Sequence, residues 1–446
     1  MRTRTVLALL CSAAAAGAAL AVPVAASAGP ASGPVTPACG WRGFSVATVN
    51  QNLQDSAAAY WLLPFTVQDG LQITLDGRYP DSRYASLQAY SSATTLYSEN
   101  GVSSALTDYQ IKPDPGSVNP WQYSPGHRPG HDGNAYTVTL QPDVTPGQAN
   151  VLPLAPAGTA PGTAGYLQYR VYLPAGGDFS RVPPPVVTFT LNGVSQQVPP
   201  CPPGTAATVS SASTVSSAST VSSASTVSAG SPAAGPATGA AAQAPAFVRP
   251  SVSGDFPNAD SGYLIAALTP PANGDVLVIR GKAPATPGGS RPSPWPAPFT
   301  DLRYWSLCNY LTSAVENGVT VGFPLVANPL PGGQTDYGCR HDSQVSVDRD
   351  GYYTFVVGTE AQRPVIDRIP GATFLPFSAA DPATTHILLL RNMLPGPGFT
   401  RAIQDVPPGE STAAAAAKAM GPYYPRTAIC PLATLARNGP AACPVT

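Results

Sequence analysis

Asp81-Ser-Arg-Tyr-Ala-Ser-Leu-Gln-Ala-Tyr90 and Asp301-Leu-Arg-Tyr-Trp-Ser-Leu-Cys-Asn-Tyr310 are two versions of one decapeptide, 220 residues apart and identical at six of ten positions. The correspondence continues in order on both sides. Upstream, Leu75-Asp-Gly77-Arg-Tyr-Pro80 answers to Ile279-Arg-Gly281-Lys-Ala-Pro284. Downstream, Tyr136-Thr137 answers to Tyr353-Thr354, Val151-Leu-Pro153 to Phe374-Leu-Pro376, and Arg170-Val-Tyr-Leu-Pro174 to Arg391-Asn-Met-Leu-Pro395. A collinear series of this kind reads as a duplicated domain.

Between the copies, Thr208 to Ser225 is Thr-Val-Ser-Ser-Ala-Ser three times over, followed by Ala, Gly, Pro and Ser. Such residues bury too little apolar surface to offset chain entropy, so a disordered Ser/Thr/Ala linker is expected over 205–245. The modules then run from 29 to 204 and from 246 to 446. Within each, Pro and Gly recur every eight to twelve residues between short β-branched and aromatic runs, such as Val186-Val-Thr-Phe-Thr-Leu191. The expected fold class is all-β, two tandem β-sandwich or jelly-roll domains. One short helix is expected near the C-terminus, with Ser411 or Thr412 as N-cap, alanines through Met420, and Gly421 as the stop.

Residues 1–28 read as an export signal: Arg2 and Arg4, an apolar run from Val6 to Val22, then Ala26-Ser27-Ala28 for cleavage. No other segment approaches the ~20 apolar residues that span a bilayer. A secreted or envelope-associated location is therefore expected, with no transmembrane segment after cleavage. Charged residues are 11% of the chain, against about 25% in ordinary globular proteins. Without the signal the net charge goes from −1 to −3, since it takes away two arginines and no acid. No basic stripe is left for phosphates, which excludes nucleic acid as a partner.

Cys39, Cys201, Cys308, Cys339, Cys430 and Cys443 remain in the mature chain, an even number suited to disulfides. Their layout favours Cys39–Cys201, Cys308–Cys339 and Cys430–Cys443. Free or metal-binding thiols are the alternative, although no C-x-x-C pair supports zinc. Neither a metal nor a cofactor is expected.

Arg-Tyr-Trp-Ser-Leu-x-x-Tyr at 303–310, Asp350-Gly351 opening a strand, Leu375-Pro376 and Arg391-x-x-Leu-Pro395 resemble one bacterial family. It is the jelly-roll domain of unknown function numbered twelve-fourteen, found at the C-terminal end of two-domain envelope proteins. The first copy carries the same marks, with Ala85 in place of the tryptophan. The resemblance implies a fold and no catalytic residues.

Strands alternate their faces, so parity sorts the repeated residues. Arg83, Ala85, Leu87 and Ala89 share one face, and Tyr84, Ser86, Gln88 and Tyr90 the other. On 166–173, Leu167, Tyr169, Val171 and Leu173 point inward, leaving Tyr166, Gln168, Arg170 and Tyr172 as a second aromatic and polar stripe. The matching stripe of the second copy is Ile387, Leu389, Arg391 and Met393. Two roles follow for the arginines: a polar lock that defines the fold, Arg391 pairing with Asp301 or a carbonyl, or a ligand anchor. Tyr84, Ser86, Tyr90, Tyr166, Arg170 and Tyr172 are the candidate ligand-binding residues, suited to glycan rings.

His127 and His131 flank Pro129-Gly130, which forbids the helix that a metal pair four apart would need. Asp348-Arg-Asp350-Gly351 lacks the spaced oxygens and distal Glu of a calcium loop and reads as a turn. No G-x-S-x-G, H-E-x-x-H or phosphate loop is present. The expected function is non-catalytic binding of envelope or extracellular ligands such as glycans. The alternative is an exported hydrolase using the Arg/Tyr/Asp face of the first module.

Overall fold

The computed structural model describes residues 33–123, 133–202, 205, 243–251, 254–272, 274–316 and 319–445. The export signal, the bulk of the linker, and His127 and His131 lie outside the described residues.

Module 1 is built from β1 (Arg42–Phe44), β2 (Ala58–Thr66), β3 (Gln72–Arg78), β4 (Ser82–Tyr90), β5 (Ala105–Thr107), β6 (Ala135–Gln141), β7 (Val151–Pro153), β8 (Ala164–Pro174), β9 (Val186–Leu191) and β10 (Val194–Val198). They form two sheets, β1-β2-β8-β4-β5 and β10-β9-β3-β6-β7. Module 2 follows with β11 (Ser261–Leu268), β12 (Asp275–Lys282), β13 (Leu302–Leu311), β14 (Cys339–His341), β15 (Tyr352–Gly358), β16 (Ala372–Pro376), β17 (His386–Pro395) and β18 (Arg426–Pro431). Its sheets are β11-β17-β13-β14 and β16-β15-β12-β18. The protein is all-β, with two sandwich modules in which the order of four strands per sheet recurs, β1 and β10 being extra edge strands of module 1.

Matching residues sit at matching registers. Arg170 faces Ser86, and Arg391 faces Ser306. In the second sheets Gly77 faces Tyr136 and Gly281 faces Tyr353, while Val151 and Phe374 each lie in a parallel pairing. The repeated glycines have a steric cause. A Cβ on Gly77 would lie 2.3 Å from the Tyr136 ring, and one on Gly281 2.6 Å from the Tyr353 hydroxyl. Both rings fold over the facing strand into the core.

Parity places the core as the residue pattern requires except at Leu173, whose φ of 49° breaks the alternation so that it packs with Tyr84 and Tyr172 and not in the core. In β6 the alternation is complete, with Tyr136, Val138 and Leu140 inside and Thr137 and Thr139 on the other face. Ala85, Leu87, Ala89, Leu167, Tyr169 and Val171 pack against Ile73, Leu75 and Val138. Module 2 repeats this with Trp305, Leu307, Leu388 and Leu390 against Leu277, Ile279 and Phe355. Where Ala85 replaces the tryptophan, the core takes in Trp121 from a loop, its indole N–H donating to the Arg83 carbonyl at 3.1 Å.

The three disulfides are those the layout favours: Cys39–Cys201, Cys308–Cys339 and Cys430–Cys443. The alanine helix α1 (Ala413–Met420) begins at Thr412, whose hydroxyl accepts from the Ala415 N–H, and stops at Gly421 with φ 56°. Asp348 to Gly351 is a turn, with the Gly351 N–H on the Asp348 carbonyl and φ 81° at the glycine. A further helix, α2 (Leu432–Asn438), follows β18. Among the described residues no helix is long and apolar enough to cross a membrane.

One feature departs from a solitary sandwich. All nine residues of β4 and all ten of β13 are buried, although an outer sheet of such a fold normally alternates buried and wet. Something covers the second face of each.

Gly77→Ala is expected to destabilise the protein by about 1–3 kcal/mol, since the new methyl must displace a packed ring. Gly281→Ala should do the same. Urea unfolding reads it as a lowered midpoint at unchanged slope; an unchanged midpoint would mean the tyrosine moves aside freely.

Candidate functional site

The cover on each sheet is the other module. Tyr84, Tyr172, Tyr304 and Met393 form one buried cluster across the contact. The Tyr172 ring stands edge-on to Tyr84 at 5.6 Å and to Tyr304 at 5.1 Å. Tyrosines presented on two facing sheets bury large flat area while their hydroxyls find partners, which suits an interface.

The Tyr84 and Tyr304 hydroxyls and three of the four repeated arginines meet carboxylates across the seam. Arg83 of module 1 pairs with Asp342 of module 2, donates to the Ser343 hydroxyl at 2.7 Å, and reaches the Gly289 carbonyl at 2.6 Å. In the reverse sense Arg303 of module 2 pairs with Asp108 of module 1 at 3.4 Å and donates to the Arg83 carbonyl at 2.9 Å. Asp108 opens the short 3-10 turn after β5, and Asp342 the corresponding turn after β14. The exchange is therefore reciprocal, as in an isologous dimer. The Arg303 guanidinium also lies 4.8 Å over the Trp295 ring.

A second set surrounds the arginines of β8 and β17. Arg391 pairs with Asp55, a fully buried carboxylate in the segment before β2. Asp55 also accepts from the Tyr304 hydroxyl at 2.8 Å and the Ser306 hydroxyl at 2.7 Å. Arg391 further donates to the Leu53 carbonyl at 3.1 Å, and its counterpart Arg170 to the Phe256 carbonyl at 3.0 Å. Leu53 and Phe256 both adopt positive φ, 57° and 50°. Each sits in an arm that leaves its own module and lies on the other. The Leu53 N–H bonds the Phe323 carbonyl, and the Phe256 N–H the Thr94 carbonyl.

The symmetry breaks at one position. Asp55 and Asn258 hold the same Asx turn, each side-chain oxygen accepting the N–H two residues on. Because Asn258 replaces a carboxylate, Arg170 has neutral acceptors: Gln88 at 3.0 Å, the Tyr90 hydroxyl at 3.3 Å, Gln168 and the Phe256 carbonyl. Asp260 stands nearby, accepting from Tyr84 at 2.7 Å and from Thr107 at 2.6 Å.

Burial governs the acids of the seam. It pushes Asp108 up to about 6, against the pull of the longer Arg303 pair and the Ala85 N–H. Asp260 is likewise raised by burial, countered by its two hydroxyl donors. Asp342 is held low: burial works upward, but the His341 ring 3.5 Å away and the Arg83 charge outweigh it.

The six candidate ligand residues are thus brought together, but into a closed contact. Tyr84, Ser86, Tyr90, Arg170 and Tyr172 are at most 3% exposed, and Tyr166 alone is partly open, its ring against Phe256 at 5.5 Å. The expected partner Asp301 does not serve Arg391. Its carboxylate caps the Ala285 N–H, and its place is taken by Asp55. Asp55, Asp108, Asp260 and Asp342 carry no sequence signal of their own. Each lies in a turn, where an aspartate is ordinary chemistry.

Depressions open on the surface of the described residues. The first, of 230 Å³, lies at the end of module 1 where β4 finishes and β8 begins, and Tyr90, Ser91, Ser92, Leu154, Thr159 and Thr163 line it. The buried sulfurs of Cys308 and Cys339 lie close to the Asp55 carboxylate, but they are bonded to each other, and Arg391 holds the carboxylate, so the trio does not fit a cation. His386 is structural: its Nε2 accepts the Ser378 N–H and its Nδ1 meets the Thr384 carbonyl at 2.8 Å.

Asp55→Ala is expected to cost about 3–5 kcal/mol, because it leaves the Arg391 cation buried and unpaired; a loss under about 1 kcal/mol in chemical denaturation would contradict the seam. Burial lowers His386 to about 4, against about 6.5 when unfolded. The unfolded chain then binds the proton first, so the stability tied to neutral His386 falls as pH drops from about 6.5 to 4, by up to about 3 kcal/mol. The stability advantage of wild type over His386→Phe should shrink across that window; a constant gap would show that the group does not titrate there.

No family model and no curated protein matches the chain. Among solved structures, an uncharacterized protein from Burkholderia cenocepacia is similar at 12% identity, with 89% of this chain and 83% of that chain covered and a TM-score of 0.45. A protein from Vibrio parahaemolyticus is similar at 12% identity, with coverages of 85% and 89% and a TM-score of 0.36. Neither likeness carries a functional argument.

Proposed function

We propose that this is an exported, non-catalytic binding protein that takes a neutral glycan of the cell envelope or extracellular space at the open end of module 1. The observation that carries it is the depression beside Tyr90, where β4 ends and β8 begins. Leu154, Val67 and Pro156 supply apolar surface there, and Ser91, Ser92, Thr159 and Thr163 supply hydroxyls, with no charged side chain in the lining. An apolar seat with a few polar groups is the usual make-up of a small-ligand site, and a sugar ring offers the complementary C–H face and hydroxyl edge. The site is adjacent to the candidate residues read from sequence, displaced from the stripe itself to its outer margin.

Export is supported by the N-terminal pattern and by three disulfides, which persist in oxidising compartments. The matched registers support descent of both halves from one duplicated module, two divergent copies of the jelly-roll domain of unknown function. The Arg/Tyr/Asp face, on which both the ligand stripe and the alternative hydrolase were expected, is committed to the seam, so the binding reading moves to the open end of the module.

A glycan array probed with the full chain tests the proposal. Wild type should retain neutral polysaccharide, and Ser92→Trp, which fills the depression from an exposed position, should lose at least tenfold in affinity. Equal retention by the variant, or none by wild type, would overturn it.

A further inference from the structure

Module 2 carries a depression of its own, of 500 Å³, lined by Pro270, Asp275, Thr359, Gln362, Phe377 and Ala383. It lies at the same end of its sandwich as the module 1 depression, and register makes two of its lining residues counterparts of residues that line the first. Arg170 faces Tyr60 across β8 and β2, and Arg391 faces Tyr263 across β17 and β11. Each guanidinium lies 5.5 Å from its tyrosine ring. Tyr60 and Tyr263 therefore correspond, and seven residues further on so do Val67 and Pro270. In the other sheets Thr139 faces Val151 and Val356 faces Phe374, which makes Leu154 and Phe377 counterparts. Val67 and Leu154 line the first depression, and Pro270 and Phe377 the second.

We propose that module 2 holds a second saccharide site at this matched end, so that one chain binds a glycan polymer at two points. The inference rests on the glycan reading of the module 1 depression. The chemistry of the second site is of the same class and differs in detail. Phe377 and the prolines give flat apolar surface, and the Asp275 carboxylate at the rim accepts hydrogen bonds from sugar hydroxyls. Gln362 shapes the rim, accepting from the Thr359 N–H at 2.9 Å and donating to the Gly274 carbonyl at 3.1 Å. The larger volume suits a longer stretch of polymer than the first site takes.

The seam gives the pair of sites its consequence. Arg83–Asp342, Arg303–Asp108 and Arg391–Asp55 are buried ion pairs between the modules, so the two sites are held at one spacing and not merely tethered. Fixed spacing makes the second binding event intramolecular when the ligand repeats at a matching distance, and avidity then exceeds either single affinity by about 10²–10⁴.

Calorimetry on the full chain, with short oligosaccharides cut from whichever polymer the array identifies, counts the sites. Wild type should bind two per chain, and Ser92→Trp and Ala383→Trp one each. Release of the intact polymer should be at least 100-fold slower from wild type than from either variant. Asp275→Ala, a smaller change at the rim, should weaken the second site alone and serves if the tryptophan disturbs folding. One site per chain, lost in Ser92→Trp and untouched by Ala383→Trp and Asp275→Ala, would overturn the second site and leave the first standing. No binding to any saccharide would remove the glycan reading itself, and this inference with it.

Discussion

Arg83, Arg303, Arg170 and Arg391 are all at most 3% exposed, and the rest of the architecture answers to that burial. A guanidinium taken out of water must find charge-assisted acceptors or the fold loses several kcal/mol per ion. Three of the four find a carboxylate only on the opposite module. A module alone would leave those cations facing nothing that matches them. Ion pairs of this kind add little net stability over an apolar isostere, but they penalise any arrangement that separates the partners. Here the penalised arrangement is a pair of sandwiches that drift apart or rotate.

The seam has the form of an isologous dimer made within one chain. Arg83 with Asp342 and Arg303 with Asp108 are the two halves of a self-complementary contact. The copies are nevertheless not interchangeable. Tyr172 wedges between Tyr84 and Tyr304, where its counterpart is the thinner Met393. Asp55 answers Arg391, where its counterpart Asn258 leaves Arg170 to amides, hydroxyls and carbonyls. Two tyrosines at the Tyr172 position would crowd the centre, and two asparagines at the Asp55 position would strand a cation. Unlike copies fit where like copies would not, which is specificity by exclusion as well as by attraction.

A closed seam also redistributes what the surface has to offer. The most distinctive side chains of the protein, its tyrosine and arginine stripes, face inward and serve assembly. The depressions at the end of each sandwich lie outside the seam, where strands stop and short loops meet. There the lining is hydroxyls, prolines and a few apolar side chains, joined in module 2 by Asp275 and Gln362, and on this chemistry the proposed glycan sites rest.

The all-β class, the three disulfides, the Thr412-capped helix and, Leu173 apart, the faces of the repeated strands were legible in the sequence. Each depends on local pattern: alternation of period two, turn residues, cap chemistry, cysteine layout. The first decapeptide shows the limit. Parity separates Leu87 from Ser86 correctly, yet it cannot say what lies over the Ser86 face, because an open sugar-binding stripe and a sealed protein contact use the same tyrosines, serines and arginines. That was decided by tertiary structure alone. Asp55, Asp108 and Asp342 lie in turns far along the chain from the arginines they meet, and an aspartate in a turn has a sufficient local reason to be there. Only the docking of one sheet on another turns these local choices into partners, since the cost of a buried charge depends on what surrounds it in space and not on its neighbours in sequence.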